Sequence, residues 1–483
     1  MDKIKIAFFM SEASPYIKTG GLADVCGSLP QYIDRERFDI RLFLPGYSFM
    51  KNPGFCDARF EGSLTVNHMG KDAGAGIFST ENGGVTCYFI KSDEYFGGKA
   101  PYGEWKEDII KFCFYEKASL IALKTLGWRP DIIHCHDWQA ALTPCYIKEF
   151  AKGDSFFAGI KTVLTIHNLR FQGRWGDGEM KYITGLPDEY FCYDGLEYFG
   201  DGNMLKGGIE YCDKITTVSE TYSREILTDP FGEGLSGTLY NNRHKLQGIV
   251  NGIDGAAFSP EYDSYIRSVY SAANFRRRKP VNKKDLQAEL GLPEDNKAFM
   301  MGMVTRLTDQ KGMDIFCEAI SGVLSENVQL VVLGTGESRY EETLRTLERQ
   351  YPGKVRALIK YSDGLSHKIY AASDAYLMPS LFEPCGLSQL IALKYGTVPI
   401  VRETGGLKDT VVPYNKYTGE GTGFSFANYD AADFQDAVLR AFSLYKEKKA
   451  KWNLLCENAM KADWSWKASA EKYREIYQSL TEI

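Results

Sequence analysis

The run Ile4-Lys5-Ile6-Ala7-Phe8-Phe9-Met10, followed by Lys18-Thr19-Gly20-Gly21-Leu22, is the opening of a strand–turn–helix unit. A short, apolar stretch containing β-branched residues predicts a buried strand. The glycine pair predicts a turn, and the amphipathic segment at 22–33 a helix. The rhythm then repeats. Strands are expected at 39–44, 131–136, 161–167 and 214–219, and helices at 105–126, 138–150 and 204–212. The second half has expected strands at 298–304, 328–334, 355–361, 375–378, 398–401 and 423–426. Helices are expected there at 313–323, 337–351, 367–372, 387–394 and 432–445. Strands alternating with helices predict α/β architecture with parallel sheets.

Other regions break the rhythm. Residues 61–91 read as short strands joined by turns such as Asn82-Gly83-Gly84, a hairpin insertion. The polar stretch 258–280 contains Arg276-Arg277-Arg278-Lys279 and reads as a linker with a solvated basic face. A chain of 483 residues exceeds a single core, and a domain boundary is expected near residue 260. A final helix is expected from Trp464 to the end, with Trp466, Ala470, Tyr473 and Ile476 or Tyr477 at helical spacing.

Composition narrows the function classes. Hydrophobic residues make up 44% and charged residues 25%, with net charge −6. That balance argues against a nucleic-acid binder, whose footprint is basic. No apolar run approaches a membrane span, and the first apolar stretch is too short for a secretory signal. The 11 cysteines lack C-x-x-C pairs and read as reduced, mostly buried thiols of a cytoplasmic protein. No nucleic acid, membrane, metal or cofactor is expected as a partner.

Ligands of open α/β sheets bind beyond the carboxyl ends of the strands, so residues there are the site candidates. Lys18, Gly20 and Gly21 offer a charge and backbone that a ligand can approach closely; a plain flexible turn is the competing reading. In His134-Cys135-His136-Asp137-Trp138, the two histidines share a strand face, but no further cluster has metal-ligand spacing. Asp137 is either an acceptor for sugar hydroxyls or the N-cap of the next helix. His167, ending its strand before Asn168, either donates to a sugar or is structural.

In the second half, Arg306 and Lys311 flank Leu307-Thr308-Asp309-Gln310 and can clamp a diphosphate, or be surface charges. Lys311 at a helix start opposes the helix dipole, which points to an anion nearby. In Glu383-Pro384-Cys385-Gly386-Leu387, Gly386 and Leu387 can present N–H groups to phosphate and Glu383 can accept from a sugar. Alternatively, Glu383 and Pro384 simply start the helix. Tyr361 stacks on a base or belongs to the core. No D-x-D occurs, so cations and helix N-termini would carry leaving-group charge.

Seven blocks, at 15–30, 134–142, 165–173, 206–226, 251–254, 305–314 and 383–411, resemble in order the bacterial glycogen synthase and plant starch synthase family (glycosyltransferase family 5). The stretch from Glu383 to Thr404-Gly405-Gly406-Leu407 is the most specific. The resemblance implies the glycosyltransferase B fold, two Rossmann-like domains facing across a cleft. Residues 1–260, completed by 464–483, would be the acceptor side and 261–463 the nucleotide-sugar side. It implies retaining transfer of glucose from ADP-glucose to an α-1,4-glucan, with UDP-glucose left open as donor and oligomeric state unread. Arg306 and Lys311 would hold the diphosphate, with Lys18, Gly20 and Gly21 beside donor and phosphates. Asp137, His167, Asn251 and Glu383 would surround the transferred glucose, and Tyr361 would stack on the base. Cys385, Gly386 and Leu387 join the donor-binding set. The His167 carbonyl would stabilise positive charge on the sugar. Arg170-Phe171 departs from the family's frequent Ala-Tyr, and Cys26 from its small residues.

Competing readings are phosphorylase or epimerase chemistry on the same fold, and an inactive glucan-binding protein. A phosphorylase needs a pyridoxal phosphate lysine, and no residue stands out for it. An inactive protein should lack some of Lys18, Arg306, Lys311 and Glu383, yet all are present.

Overall fold

The structure, a computed structural model, describes residues 3–481. It divides into two compact units, Met1–Val250 with Trp466–Ile483, and Asn251–Ser465. The division thus precedes residue 260. In the second unit, the Ile253 amide donates to the Trp464 carbonyl at 2.8 Å, pairing the chain's entry with its exit.

The first unit is built on a nine-stranded sheet. From edge to edge its strands are Leu246–Gly248, Lys214–Thr217, Lys161–Ile166, Ile132–His136, Ile4–Phe9, Phe38–Pro45, Val85–Lys91, Lys71–Asn82 and Arg59–His68. The first seven pair in parallel. Ile6, Ala7, Phe8 and Phe9 are fully buried, as a strand covered on both faces requires. The last two strands form the insertion hairpin and pair antiparallel. They are 10 and 12 residues long, not short. Met69-Gly70 and Gly83-Gly84, all at positive φ, make the tight turns.

The second unit has six parallel strands in the order Val355–Leu358, Val328–Leu333, Phe299–Val304, Ala375–Met378, Val398–Arg402 and Phe424–Phe426. Counted along the chain this is 3-2-1-4-5-6, the doubly wound order. In both units the order reverses beside the first strand. The crevices that the reversals open lie beyond Phe9 and His136 in one unit, and beyond Val304 and Met378 in the other.

Several elements differ from expectation. Residues 138–150 are not one helix but a single 3-10 turn, Trp138–Ala140, and a helix, Thr143–Ala151. Pro144 lacks an N–H and so restarts the helix there. The basic run is not a solvated linker: it lies in the helix Phe275–Glu289, which contains Pro280. Lys279 is buried, and its Nζ donates to the carbonyls of Tyr370, Ala371 and Tyr395 at 3.0–3.2 Å and to Thr397 Oγ1 at 2.6 Å. Burial lowers its pKa to about 7. Lys283, one turn on, pairs with Asp374 at 2.7 Å.

The last helix runs Trp466–Thr481, starting two residues later than expected; residues 482 and 483 lie outside the described residues. Its Tyr473 and Tyr477 are fully buried in the first unit, and Tyr477 Oη is 2.8 Å from His134 Nδ1. Among the described residues no helix is long and apolar enough to cross a membrane.

Candidate functional site

In the first unit, the chain leaves the strand Ile4–Phe9 through Ser11-Glu12 and enters the helix Gly21–Tyr32. Glu12 is buried, and in the sequence only its place after a strand marks it. Its carboxylate accepts from the Thr19 amide at 2.5 Å, Thr19 Oγ1 at 2.6 Å and Tyr102 Oη at 2.5 Å. It therefore pins the Lys18-Thr19-Gly20-Gly21 loop. Lys18 is exposed and pairs with Asp24 at 2.8 Å. Gly20 is extended (φ −158°), and a Cβ there would meet nothing within 4 Å. Packing does not require glycine at this position, so the space above it is open to a ligand.

Asp137 is the most unusual residue in this unit. Its φ is 56° and ψ −172°, a region that L side chains rarely adopt. Its side chain makes no cap hydrogen bond, so the N-cap reading fails. Instead Oδ1 accepts from the His167 amide at 2.7 Å, and the Asn168 amide also bonds the carboxyl. The carboxyl lies deep but keeps partial exposure. Burial raises its pKa to about 7 despite those two amides. The structure thus brings Asp137 and His167 together from adjacent strand ends. The His167 carbonyl accepts no backbone hydrogen bond among the described residues.

The histidines stack in depth. The rings of His134 and His136 lie 4.2 Å apart, and His136 Nδ1 is 3.0 Å from His167 Nε2. His134 is used at both nitrogens, by Tyr477 Oη and Thr165 Oγ1. Burial lowers the pKa of all three, His167 to about 3, and of His68 to about 3. A lowered folded-state pKa means that the unfolded chain takes the proton first. Stability is therefore expected to fall as pH drops below about 6.5, by up to about 1.4 kcal/mol per pH unit for each histidine. Asp137, raised, works in the opposite direction and offsets about one of them. Urea unfolding at pH 7.5 and 5.5 checks this; an unchanged midpoint would refute it.

In the second unit, Lys311 Nζ and Glu383 Oε2 are 2.6 Å apart, with side chains 17% and 8% exposed. Ser380 Oγ also donates to Glu383 at 3.2 Å. Lys311 ends a 3-10 turn, Asp309–Lys311, just before the helix Met313–Val323, and so does not open that helix. Gly312 between them has φ 72°, and a Cβ there would lie 1.9 Å from the Pro379 carbonyl. That close approach brings the Lys311 loop against the segment after Met378. A small cavity between Val304, Thr305, Lys311, Ser380, Glu383 and Gly386 lies at this crossing.

Around it, Arg306 is exposed and its guanidinium has no partner among the described residues. Gly386 (φ 74°) and Leu387 precede the helix Ser388–Lys394, and their amides donate to no backbone carbonyl among the described residues. Cys385 is a buried neutral thiol, its pKa pushed up to about 12 by burial, and it bonds the Asn251 backbone. Asn251 is itself buried, with Oδ1 unpartnered among the described residues. Gly405 and Gly406 pack on this loop: Cβ atoms there would sit 2.0 Å from the Glu383 carbonyl and 2.1 Å from the Cys385 carbonyl. Tyr361 lies beyond its strand, which ends at Leu358, and is 83% exposed, so it is not a core residue. The second unit thus carries, beyond its strand ends, a free guanidinium, free amides, a cation–carboxylate pair and an open aromatic face, groups suited to a phosphorylated ligand with a planar ring.

The chain is similar to known proteins along nearly its whole length. Residues 5–241 match the family model described as "Starch synthase catalytic domain", and residues 282–453 that of "Glycosyl transferases group 1". Glycogen synthase of Lachnospira eligens is 53% identical, over 98% of this chain and 99% of its own. Glycogen synthase of Clostridium perfringens is 46% identical, over 99% and 98%. The catalytic domain of starch synthase IV from Arabidopsis thaliana, solved bound to ADP and acarbose, superposes with a TM-score of 0.90 at 33% identity, covering 99% of both chains. Sucrose-phosphate synthase from Thermosynechococcus elongatus, at 16% identity and a TM-score of 0.62 over 99% of both chains, shares the fold alone. With the doubly wound order in both units and full-length similarity to these enzymes, the chain belongs to the bacterial glycogen synthase and plant starch synthase family and has the glycosyltransferase B fold.

Proposed function

We propose that the chain is a retaining glucosyltransferase that adds glucose from ADP-glucose to the non-reducing end of an α-1,4-glucan. The observation carrying this reading is the crossing of the second unit's first and fourth strands. There Lys311, Glu383, Gly386 and Leu387 line one small cavity, with Arg306 the residue after Thr305 of its wall. Arg306, Lys311 and the amides stabilise the negative charge that builds on a departing diphosphate. Glu383 and Asn251 take hydroxyls of the transferred glucose, and Tyr361 stacks on the adenine. On this reading the second unit is the nucleotide-sugar side and the first, with its C-terminal helix, the acceptor side.

Lys18 with Gly20 and Gly21 lies beside the donor phosphates. Asp137 and His167 contact the glucose, and the His167 carbonyl faces the positive charge that develops at its anomeric carbon. Attack from the leaving-group side then retains configuration without a covalent carboxylate intermediate, unlike retaining glycosidases. The ADP and acarbose of the Arabidopsis starch synthase support a nucleotide donor and a glucan acceptor. The test is incubation of the purified protein with glycogen and either ADP-glucose or UDP-glucose, measuring nucleotide release. Glycogen-dependent ADP release is expected. Preference for UDP-glucose would overturn the donor, and no release from either donor would overturn the function.

A further inference from the structure

We propose that His136 is a positioning residue that sets the tautomer of His167, so that His167 offers Nδ1–H to a sugar hydroxyl. This rests on the glucosyl transfer proposed above. His136 is fully buried beneath His167, with Phe8 5.3 Å away and His134 4.2 Å away, ring to ring. Its only hydrogen-bond partner among the described residues is His167, through Nδ1···Nε2 at 3.0 Å; its Nε2 is enclosed and has none. His134 cannot help, because both its nitrogens are engaged elsewhere.

Burial keeps both His136 and His167 neutral, so each ring carries one N–H. The contact between them holds one proton, and two arrangements exist. If His167 Nε2–H donated, the proton of His136 would lie on Nε2, an N–H buried among aromatic rings with no acceptor. If His136 Nδ1–H donates, Nε2 is instead a bare lone pair. An orphaned buried N–H is the rarer of the two defects in folded proteins. The second arrangement therefore holds, and it places the His167 proton on Nδ1. That nitrogen is not enclosed and has no partner among the described residues. It is the atom left to meet a ligand, as a donor.

Two measurements test this. In the wild-type protein, histidine-selective ¹⁵N NMR at pH 7.5 should show His167 protonated at Nδ1 and His136 at Nδ1. A His167 proton on Nε2 overturns the proposal, whatever the variants do. His136→Leu removes the donor, and His136→Asn restores one near the Nδ1 position. The expected result is a kcat about 10- to 100-fold lower in His136→Leu, as for loss of an orienting partner, with KM for the donor little changed and mixed His167 tautomers. His136→Asn should recover most of kcat and the single tautomer. Equal loss in both variants, with unchanged melting temperatures, or no loss in His136→Leu, overturns it. Absence of glucosyl transfer by the wild type would instead defeat the proposed function and leave the tautomer measurement standing.

Discussion

Lys311→Ala is expected to destabilise the second unit by about 3–5 kcal/mol, the cost of leaving one charge of a buried pair alone. Turnover should fall by about 10²–10³-fold with it. The 2.6 Å pairing sets that cost, since Glu383 is 8% exposed and depends on Lys311 for its counter-charge. Glu383→Ala should cost less, because Lys311, at 17% exposure, can turn its ammonium towards water. The double alanine variant should then recover most of the stability and none of the activity. That asymmetry separates two roles that a single variant confounds. Urea unfolding and initial rates on the four proteins of the cycle supply both readouts. Wild-type stability in Lys311→Ala would mean that the pair is not formed in solution. Recovery of activity in the double variant would make both residues structural.

The same contrast explains what could be read from the sequence. Strands such as Phe299–Val304 were legible because burial on both faces demands an unbroken apolar run. The helix Phe275–Glu289 was not, because the side it buries carries Lys279, Asn282 and Lys283 with Leu286. The helical period is present, but polar groups write it, and a hydrophobic pattern cannot see carbonyls satisfying an ammonium. Glu12 was invisible for a related reason: its partners Thr19 and Tyr102 are assembled only by the fold. The glycine motifs, alike on paper, differ in kind. Gly405 and Gly406 are demanded by contact with the Glu383 and Cys385 carbonyls, whereas Gly20 has open space above it. Gly405 and Gly406 fix the loop they pack on, and Gly20 leaves space above its own.

Asp137→Asn is expected to make the protein more stable above pH 7 and less active, and the opposite signs are the point. The carboxyl has a folded-state pKa of about 7, raised chiefly by burial. The folded protein therefore favours the protonated acid, and stability is lost as pH climbs from the ordinary carboxyl value through about 7. Each unit of that rise costs about 1.4 kcal/mol, less what solvent returns at the open edge of the group. Asparagine keeps an acceptor for the His167 amide, now 2.7 Å from Oδ1, and tolerates positive φ better than most residues, but carries no charge. It should relieve the penalty above pH 7 and change little at pH 5. A structural residue under no other constraint would gain by that exchange. On the proposed reading, in which positive charge develops on a sugar beside Asp137, the charge is what the strained, buried position would supply. Activity of the wild type should rise with pH through about 7 as Asp137 ionises. In the variant that limb should vanish, with kcat about 10²–10³-fold lower. Denaturation at pH 5 and 8, together with the pH dependence of kcat, measures both halves. An asparagine variant that is as active as wild type, or less stable at pH 8, would show that the carboxylate serves the fold and not the reaction.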